Sequence, residues 1–209
     1  MKDFWDARYR EEEYAFGVEP NVFFREILED HRPAGSILLP AEGEGRNAVY
    51  AAKFGLEVYA FDQSMEGKKK AIRFAEKENV KMDYQVGEFT ELPFFNQRFD
   101  VAALIYAHFE PGLVSSYHKR MAELLKPNGL LVLEGFSTNH LRKQKENPNV
   151  GGPKKESMLF SLKQMKADFS ILEPILLEEK MVHLNEGRFH QGEGMVIRFV
   201  GRKTSRKVK

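Results

Sequence analysis

The sequence predicts an α/β fold: a doubly wound, mostly parallel sheet that ends in an antiparallel hairpin. Three observations lead there. Between residues 36 and 136 short apolar runs alternate with amphipathic stretches, the rhythm of a parallel sheet with helices on both faces. After residue 137 that rhythm stops, and two strand-like runs joined by a polar loop make an antiparallel pair. Finally, 209 residues with 42% hydrophobic and 30% charged content suit one domain with a sizeable core.

The elements follow in order. Residues 1–32 form an N-terminal helical and aromatic segment containing Phe4, Trp5, Tyr9, Tyr14, Phe16, Phe23 and Phe24. Phe23, Phe24, Ile27 and Leu28 share one face of a short helix, which His31-Arg32-Pro33-Ala34-Gly35 breaks. Either these aromatics pack the helix on the core, or the segment is a lid over a ligand. Residues 33–203 form the main domain. The run 36–40 is continuously apolar, as in a strand covered on both faces. A helix over 47–54 ends at Gly55, and a second strand over 56–61 ends at Asp62. Ser64 caps the next helix, whose Ile72, Phe74 and Ala75 point inward while Lys68, Lys69, Lys70 and Lys77 form a solvated face. Strands follow at 81–86 and 99–106, then a helix with Pro111 in its first turn that runs to about residue 125. A turn at 126–129 leads to a fifth strand, 130–136. Residues 143–156 read as an exposed loop, 161–169 as a short helix, and 175–184 with 195–202 as the hairpin. The basic end, 204–209, reads as a solvated tail.

Composition excludes several classes of function. Lys and Arg number 32 and Asp and Glu 31, so a net charge of +1 gives no reason to expect a nucleic-acid partner. The absence of cysteine removes disulfides, thiolate metal sites and cysteine nucleophiles. No apolar run approaches the roughly 20 residues that span a bilayer, and the N-terminus lacks the apolar stretch of a signal peptide. The expectation is a cytoplasmic chain with no membrane partner; its oligomeric state is not legible.

The chemistry concentrates at the end of the first strand. Open parallel sheets bind ligands beyond the carboxyl ends of their strands, and Pro40-Ala41-Glu42-Gly43-Glu44-Gly45-Arg46-Asn47 is the first such end. Gly43 and Gly45 allow backbone to approach a ligand, a helix opens just after, and Asp62 offers a carboxylate to ribose hydroxyls. Gly43 to Ala48 literally fits the G-x-G-x-x-A dinucleotide fingerprint. Glu42 and Glu44, however, flank the place of a pyrophosphate, and two anions about 5 Å apart repel by about 3 kcal/mol at an effective dielectric of about 20. Arg46 offsets part of that. The charge pattern favours S-adenosylmethionine over NAD. An NAD-dependent oxidoreductase and a non-catalytic nucleotide-binding module are the alternatives. Against the first, Tyr117 is followed four positions later by Met121 rather than by a lysine.

At these residues the chain resembles the class I S-adenosylmethionine-dependent methyltransferases, and within them the tellurite-resistance and thiopurine methyltransferase-like branch. The resemblance covers about residues 5–202. It rests on Trp5-Asp6-x-x-Tyr9, Glu19-Pro20-Asn21, the 42–48 turn, Phe61-Asp62-x-Ser64, Val86-Gly87-Glu88-Phe89, Leu92-Pro93-Phe94, Phe99-Asp100-Val101 and Leu125-Lys126-Pro127-x-Gly129. It implies a Rossmann-like, seven-stranded methyltransferase fold. It also implies that the 40–45 turn, with Pro40, Ala41, Glu42 and Gly43, holds the methionine part of S-adenosylmethionine, and of its product S-adenosylhomocysteine, and that Asn47 is a further cofactor-binding residue. Asp62 would take the ribose, Gln63 and Ser64 would lie beside the adenosine, and Gly87, Glu88 and Phe89 would meet the adenine. Tyr106 would stand near the methyl group. The family's first glycine is Ala41 here, and its usual acid at the end of the first strand is Leu39.

Methyl transfer needs alignment and dryness, and a base only when the acceptor carries a proton. His108, just after the fourth strand, is the candidate base, with a structural histidine as the alternative. Tyr14, Phe16, His108, Glu134, Phe136 and His140 are candidates for the side of a small-molecule acceptor. His183 and His190 lie in or near later loops and are further candidates for the substrate side. Histidines this far apart in sequence assign no metal site. The loop 143–156, with Gly151 and Gly152, is a candidate lid.

Overall fold

A computed structural model describes residues 2–92 and 96–204 as one seven-stranded sheet with helices on both faces. Two helices come first, α1 (Lys2–Tyr9) and α2 (Val22–His31). The βα alternation then runs through β1 (Ser36–Pro40), α3 (Arg46–Lys53), β2 (Glu57–Asp62), α4 (Met65–Lys77) and β3 (Asp83–Val86). It continues with β4 (Phe99–Ile105), α5 (Val114–Leu124) and β5 (Leu125–Phe136). Two short helices, α6 (His140–Glu146) and α7 (Leu162–Asp168), precede the hairpin of β6 (Leu172–Glu186) and β7 (His190–Lys203). The sheet order is β3-β2-β1-β4-β5-β7-β6, with β7 antiparallel to both its neighbours and the other contacts parallel. The strand order reverses between the parallel neighbours β1 and β4, so the crevice for a ligand lies beyond their carboxyl ends.

The central strands are buried on both faces, which is why they read as continuous apolar runs. Leu38, Ala102, Leu104, Leu131 and Leu133 meet α5 and α7 on one side. Ile37, Leu39, Val101, Ala103 and Val132 meet α2 and α3 on the other. Asn21 starts α2 by accepting a hydrogen bond from the Phe24 N–H (2.9 Å), and Ser64 starts α4 in the same way through Gly67.

Several expectations need correction. Lys70 is buried rather than solvated: it stands three residues after Gly67 and four before Phe74, on the inward stripe of α4. Pro111 lies in a turn before α5, where the Leu113 and Val114 N–H groups both bond to the Glu110 carbonyl. The 126–129 turn is a bulge inside β5, since Phe99 pairs with Leu125 and Val101 with Leu130. The 143–156 segment begins with the last turn of α6 and is not free: Gln144 donates to the Gly151, Gly152 and Pro153 carbonyls, and Val150 is buried. The hairpin strands are longer than predicted and leave only residues 187–189 at the tip. Pro93, Phe94 and the tail beyond Thr204 lie outside the described residues. No described helix is long and apolar enough to cross a membrane.

Candidate functional site

The turn after β1 is built around left-handed backbone and a self-capped helix. Ala41 adopts φ +52°, a conformation that favours glycine, and costs about 1–2 kcal/mol for a residue with a Cβ. Gly43 (φ +60°) leaves room for the Tyr9 hydroxyl, which a Cβ there would meet at 2.6 Å. The first free N–H groups of α3 then find an acceptor inside the protein. Oε1 of Glu42 accepts from the Asn47 N–H at 2.9 Å and the Ala48 N–H at 2.7 Å. Burial pushes the Glu42 carboxyl up to about 7 against the pull of those donors. Glu44 turns the other way. It pairs with Lys70 at 2.6 Å and accepts from the Ala15 N–H at 2.7 Å. Lys70 also donates to the Glu11 and Glu13 carbonyls, pinning the N-terminal segment to α4.

Asp62 closes β2 with both oxygens engaged, accepting from the Gly43 N–H (3.0 Å) and the Ser64 N–H (2.8 Å). Its burial raises the carboxyl to about 6, with those N–H groups opposing. Beside it, Gln63 donates to Glu88 at 3.0 Å, and the Phe61 and Phe89 rings stack with centres 5.4 Å apart.

A second polar cluster joins the N-terminal segment to the hairpin. The Asn21 amide donates to Glu134 (2.7 Å) and Glu186 (3.0 Å). Glu134 also accepts from Arg198 (2.6 Å) and from the Tyr106 hydroxyl (3.1 Å), while Glu186 pairs with Arg46 (3.0 Å) and with Nδ1 of His190 (3.0 Å). Burial pulls the Glu186 carboxyl upward, but Arg46 and His190 outweigh it and hold it at about 2. Tyr106, at φ +52°, is a second strained residue at the crevice.

Above the carboxyl ends of β1 to β5 lies a cavity of about 870 Å³. Of the predicted cofactor residues, Ala41, Glu42, Asn47, Asp62, Gln63, Gly87, Glu88, Phe89 and Tyr106 line it. Pro40, Gly43 and Ser64 do not: Tyr9 covers Gly43, and Ser64 is fully buried, donating to Asp6 at 2.6 Å. On the acceptor side Phe16, His108 and Phe136 line the cavity, whereas Tyr14, Glu134 and His140 do not. Tyr14 packs on Phe74, and Glu134 is spent in the cluster above. His140 bonds to the Gly151 carbonyl and accepts from the Met195 N–H, and burial holds it down to about 4.

His108 has both ring nitrogens engaged by backbone. Nε2 accepts from the Phe136 N–H (3.1 Å), so the proton sits on Nδ1 and is donated to the Met158 carbonyl (2.8 Å). Burial holds the ring down to about 3. This is the structural histidine, with no lone pair left for an acceptor's proton. His190 is different. It lines the cavity, Nδ1 meets Glu186, and Nε2 has no hydrogen-bond partner among the described residues. The roof, which sequence reasoning resolved least, consists of Phe4, Trp5 and Arg8 of α1, residues 148, 149 and 151–154, and Arg188 to His190 at the hairpin tip.

Residues 37–129 match a family model described as a methyltransferase domain, 93 of the 209 residues, covering β1 to the bulge of β5. No curated protein matches the chain. Among solved structures it is similar to one from work on the conversion of a disulfide bond into a thioacetal group during echinomycin biosynthesis. The TM-score is 0.79 at 15% identity, covering 100% of this chain and 94% of that one. It is also similar to TehB from Haemophilus influenzae (TM-score 0.68, 18% identity, 97% and 67% covered). A third likeness is to magnesium protoporphyrin IX methyltransferase ChlM from Synechocystis PCC 6803, solved with bound SAH (0.65, 14%, 87% and 80%). At these identities the likeness speaks for the fold, which is the seven-stranded fold of the class I methyltransferases.

Proposed function

We propose that the protein is an S-adenosylmethionine-dependent methyltransferase acting on a small-molecule acceptor. One observation carries the choice of cofactor. A dinucleotide fold receives pyrophosphate on the N–H groups that open the helix after the first strand. Here the Asn47 and Ala48 N–H groups already hold Glu42, so the phosphate position is filled by the protein's own carboxylate. Plain repulsion between two free glutamates and a pyrophosphate does not operate here, because Glu44 is paired with Lys70 and Arg46 with Glu186. A ligand without phosphates loses nothing at such a turn. The family match to the methyltransferase domain supports the same reading, and the likeness to TehB supports the tellurite-resistance-like branch.

When bound, S-adenosylmethionine supplies the methyl group. Asp62 is suited to the ribose hydroxyls, since each of its oxygens spends one lone pair on an N–H and keeps another. Glu88 and the Phe89 amide suit the adenine edge, with the Phe61–Phe89 stack as an apolar wall. Tyr106 and Phe16 bound the space between the cofactor and its acceptor. His190 takes the acceptor's proton. The Glu186 carboxylate holds the proton on Nδ1 and so leaves the lone pair on Nε2, the orientation that a buried carboxylate imposes on a histidine base.

A radiolabelled methyl-transfer screen tests the activity. It should yield a methylated product from a small molecule. In a His190→Gln variant kcat should fall by about a hundredfold or more, with S-adenosylhomocysteine affinity retained. Binding of that compound without any transfer would mark a binding module instead.

A further inference from the structure

The walls of the cavity separate charge. Its four carboxylates stand at the sheet end, and each has a partner: Glu42 the α3 N–H groups, Asp62 the Gly43 and Ser64 N–H groups, Glu44 Lys70, and Glu88 Gln63. Arg46 is taken by Glu186. The other cations of the lining, Arg8, Lys154 and Arg188, all stand on the roof. Arg8 and Lys154 have no ion pair among the described residues, and Arg188 has one long contact of 3.7 Å with exposed Glu13. The Arg8 guanidinium carbon lies 4.0 Å from the Phe189 ring centre and that of Arg188 lies 5.6 Å from it, so the two are less than about 10 Å apart. Like charges gathered on one ring, with a single long and exposed contact to Glu13 as counter-charge, make a site for an anion.

The surface between these cations and the sheet is aromatic. Phe16 and Tyr106 each lie 4.6 Å from the His190 ring, and Tyr106 lies 4.7 Å from Phe136. A bare inorganic oxyanion would leave those rings against water. The geometry points to a small planar organic acid as the acceptor: its ring lies along Phe16, Tyr106 and Phe136, and its carboxylate is held by Arg8 and Arg188 with Lys154 at the rim. A second group on the ring, a hydroxyl or thiol, takes the methyl and gives its proton to Nε2 of His190, while S-adenosylhomocysteine leaves. This rests on the reading of the sheet end as the cofactor's, which leaves the roof to the acceptor.

The test is calorimetric titration of benzoate, with benzamide as the uncharged isostere, into the full chain with and without S-adenosylhomocysteine. Benzoate should bind about tenfold or more tighter than benzamide. The R8Q/R188Q double variant should lose about tenfold or more of the benzoate affinity while benzamide is unaffected. K154Q, changed at an exposed position, should lose about twofold. Thermal melting of each variant checks folding. No benzoate binding, equal binding of the two compounds, or benzoate affinity unmoved in the variants overturns the proposal. Should S-adenosylhomocysteine itself fail to bind, the cofactor reading falls. The comparison of benzoate with benzamide in its absence still decides the anion site.

Discussion

The two walls of the cavity place charge by opposite means. On the sheet side, Glu42 and Asp62 are held by backbone N–H groups of the turns they belong to, so the same bonds that start α3 and shape the β1 turn fix the acids. On the roof side, Arg8 and Arg188 come from chain ends more than 170 residues apart and are held by stacking on Phe4, Trp5 and Phe189, with little counter-charge. The difference teaches where selectivity is kept. The sheet wall is fixed by the fold and is the side proposed for the cofactor, while the roof is assembled from segments that lie outside the parallel strands.

The strongest way to break this contrast is at the joint between the walls. Glu186 on the hairpin compensates Arg46 on the sheet side, and Glu186→Ala would leave that guanidinium buried and unpaired. Urea unfolding should show a loss of about 3–5 kcal/mol. Because the Glu186 carboxyl is held at about 2 in the folded chain, below the roughly 4.3 of a free glutamate, its contribution is complete above that free value. It is lost progressively as pH falls toward 2. An unchanged unfolding curve would mean that the roof stands without this tie.

A smaller effect is expected within the sheet wall. Asp62→Asn should weaken S-adenosylhomocysteine binding by about 1–3 kcal/mol. In the unaltered chain, affinity should rise with pH through about 6 and then level off, because the raised carboxyl accepts from ribose hydroxyls only when ionised. The variant should lose that step, and a step that persists would move the ribose away from Asp62. The smallest effect concerns Ala41. Replacing it with glycine relieves a positive φ, and should raise stability by about 0.5–1 kcal/mol after the entropy of the added glycine is counted. A loss of stability would show that the Cβ of Ala41 contributes packing worth more than its strain.

Part of the sheet wall was legible in the sequence: Asp62 ends a strand and could be placed without any long-range contact, whereas Gln63, Glu88 and Phe89 came with the family resemblance, and all four line the cavity. What Glu42 does was not, since the motif shows a carboxylate but not the N–H groups that claim it. Lys70 was legible from the helical period, since Gly67, Lys70, Ala71 and Phe74 are one stripe of α4, but it stands in a run of lysines whose other members are not buried. His108 and His190 were separated only by tertiary structure. The first has both ring nitrogens engaged by backbone of β5 and the 156–158 turn, and the second gains Glu186 through the register of a long hairpin whose tip the sequence placed too broadly.

The central claim is that the turn after β1 fills its own phosphate position and so accepts an adenosyl ligand that has none. Parallel calorimetric titrations with S-adenosylhomocysteine and NADH test it most directly. Saturable binding of S-adenosylhomocysteine with no heat from NADH is the predicted result. Saturable binding of NADH with none of S-adenosylhomocysteine would contradict it.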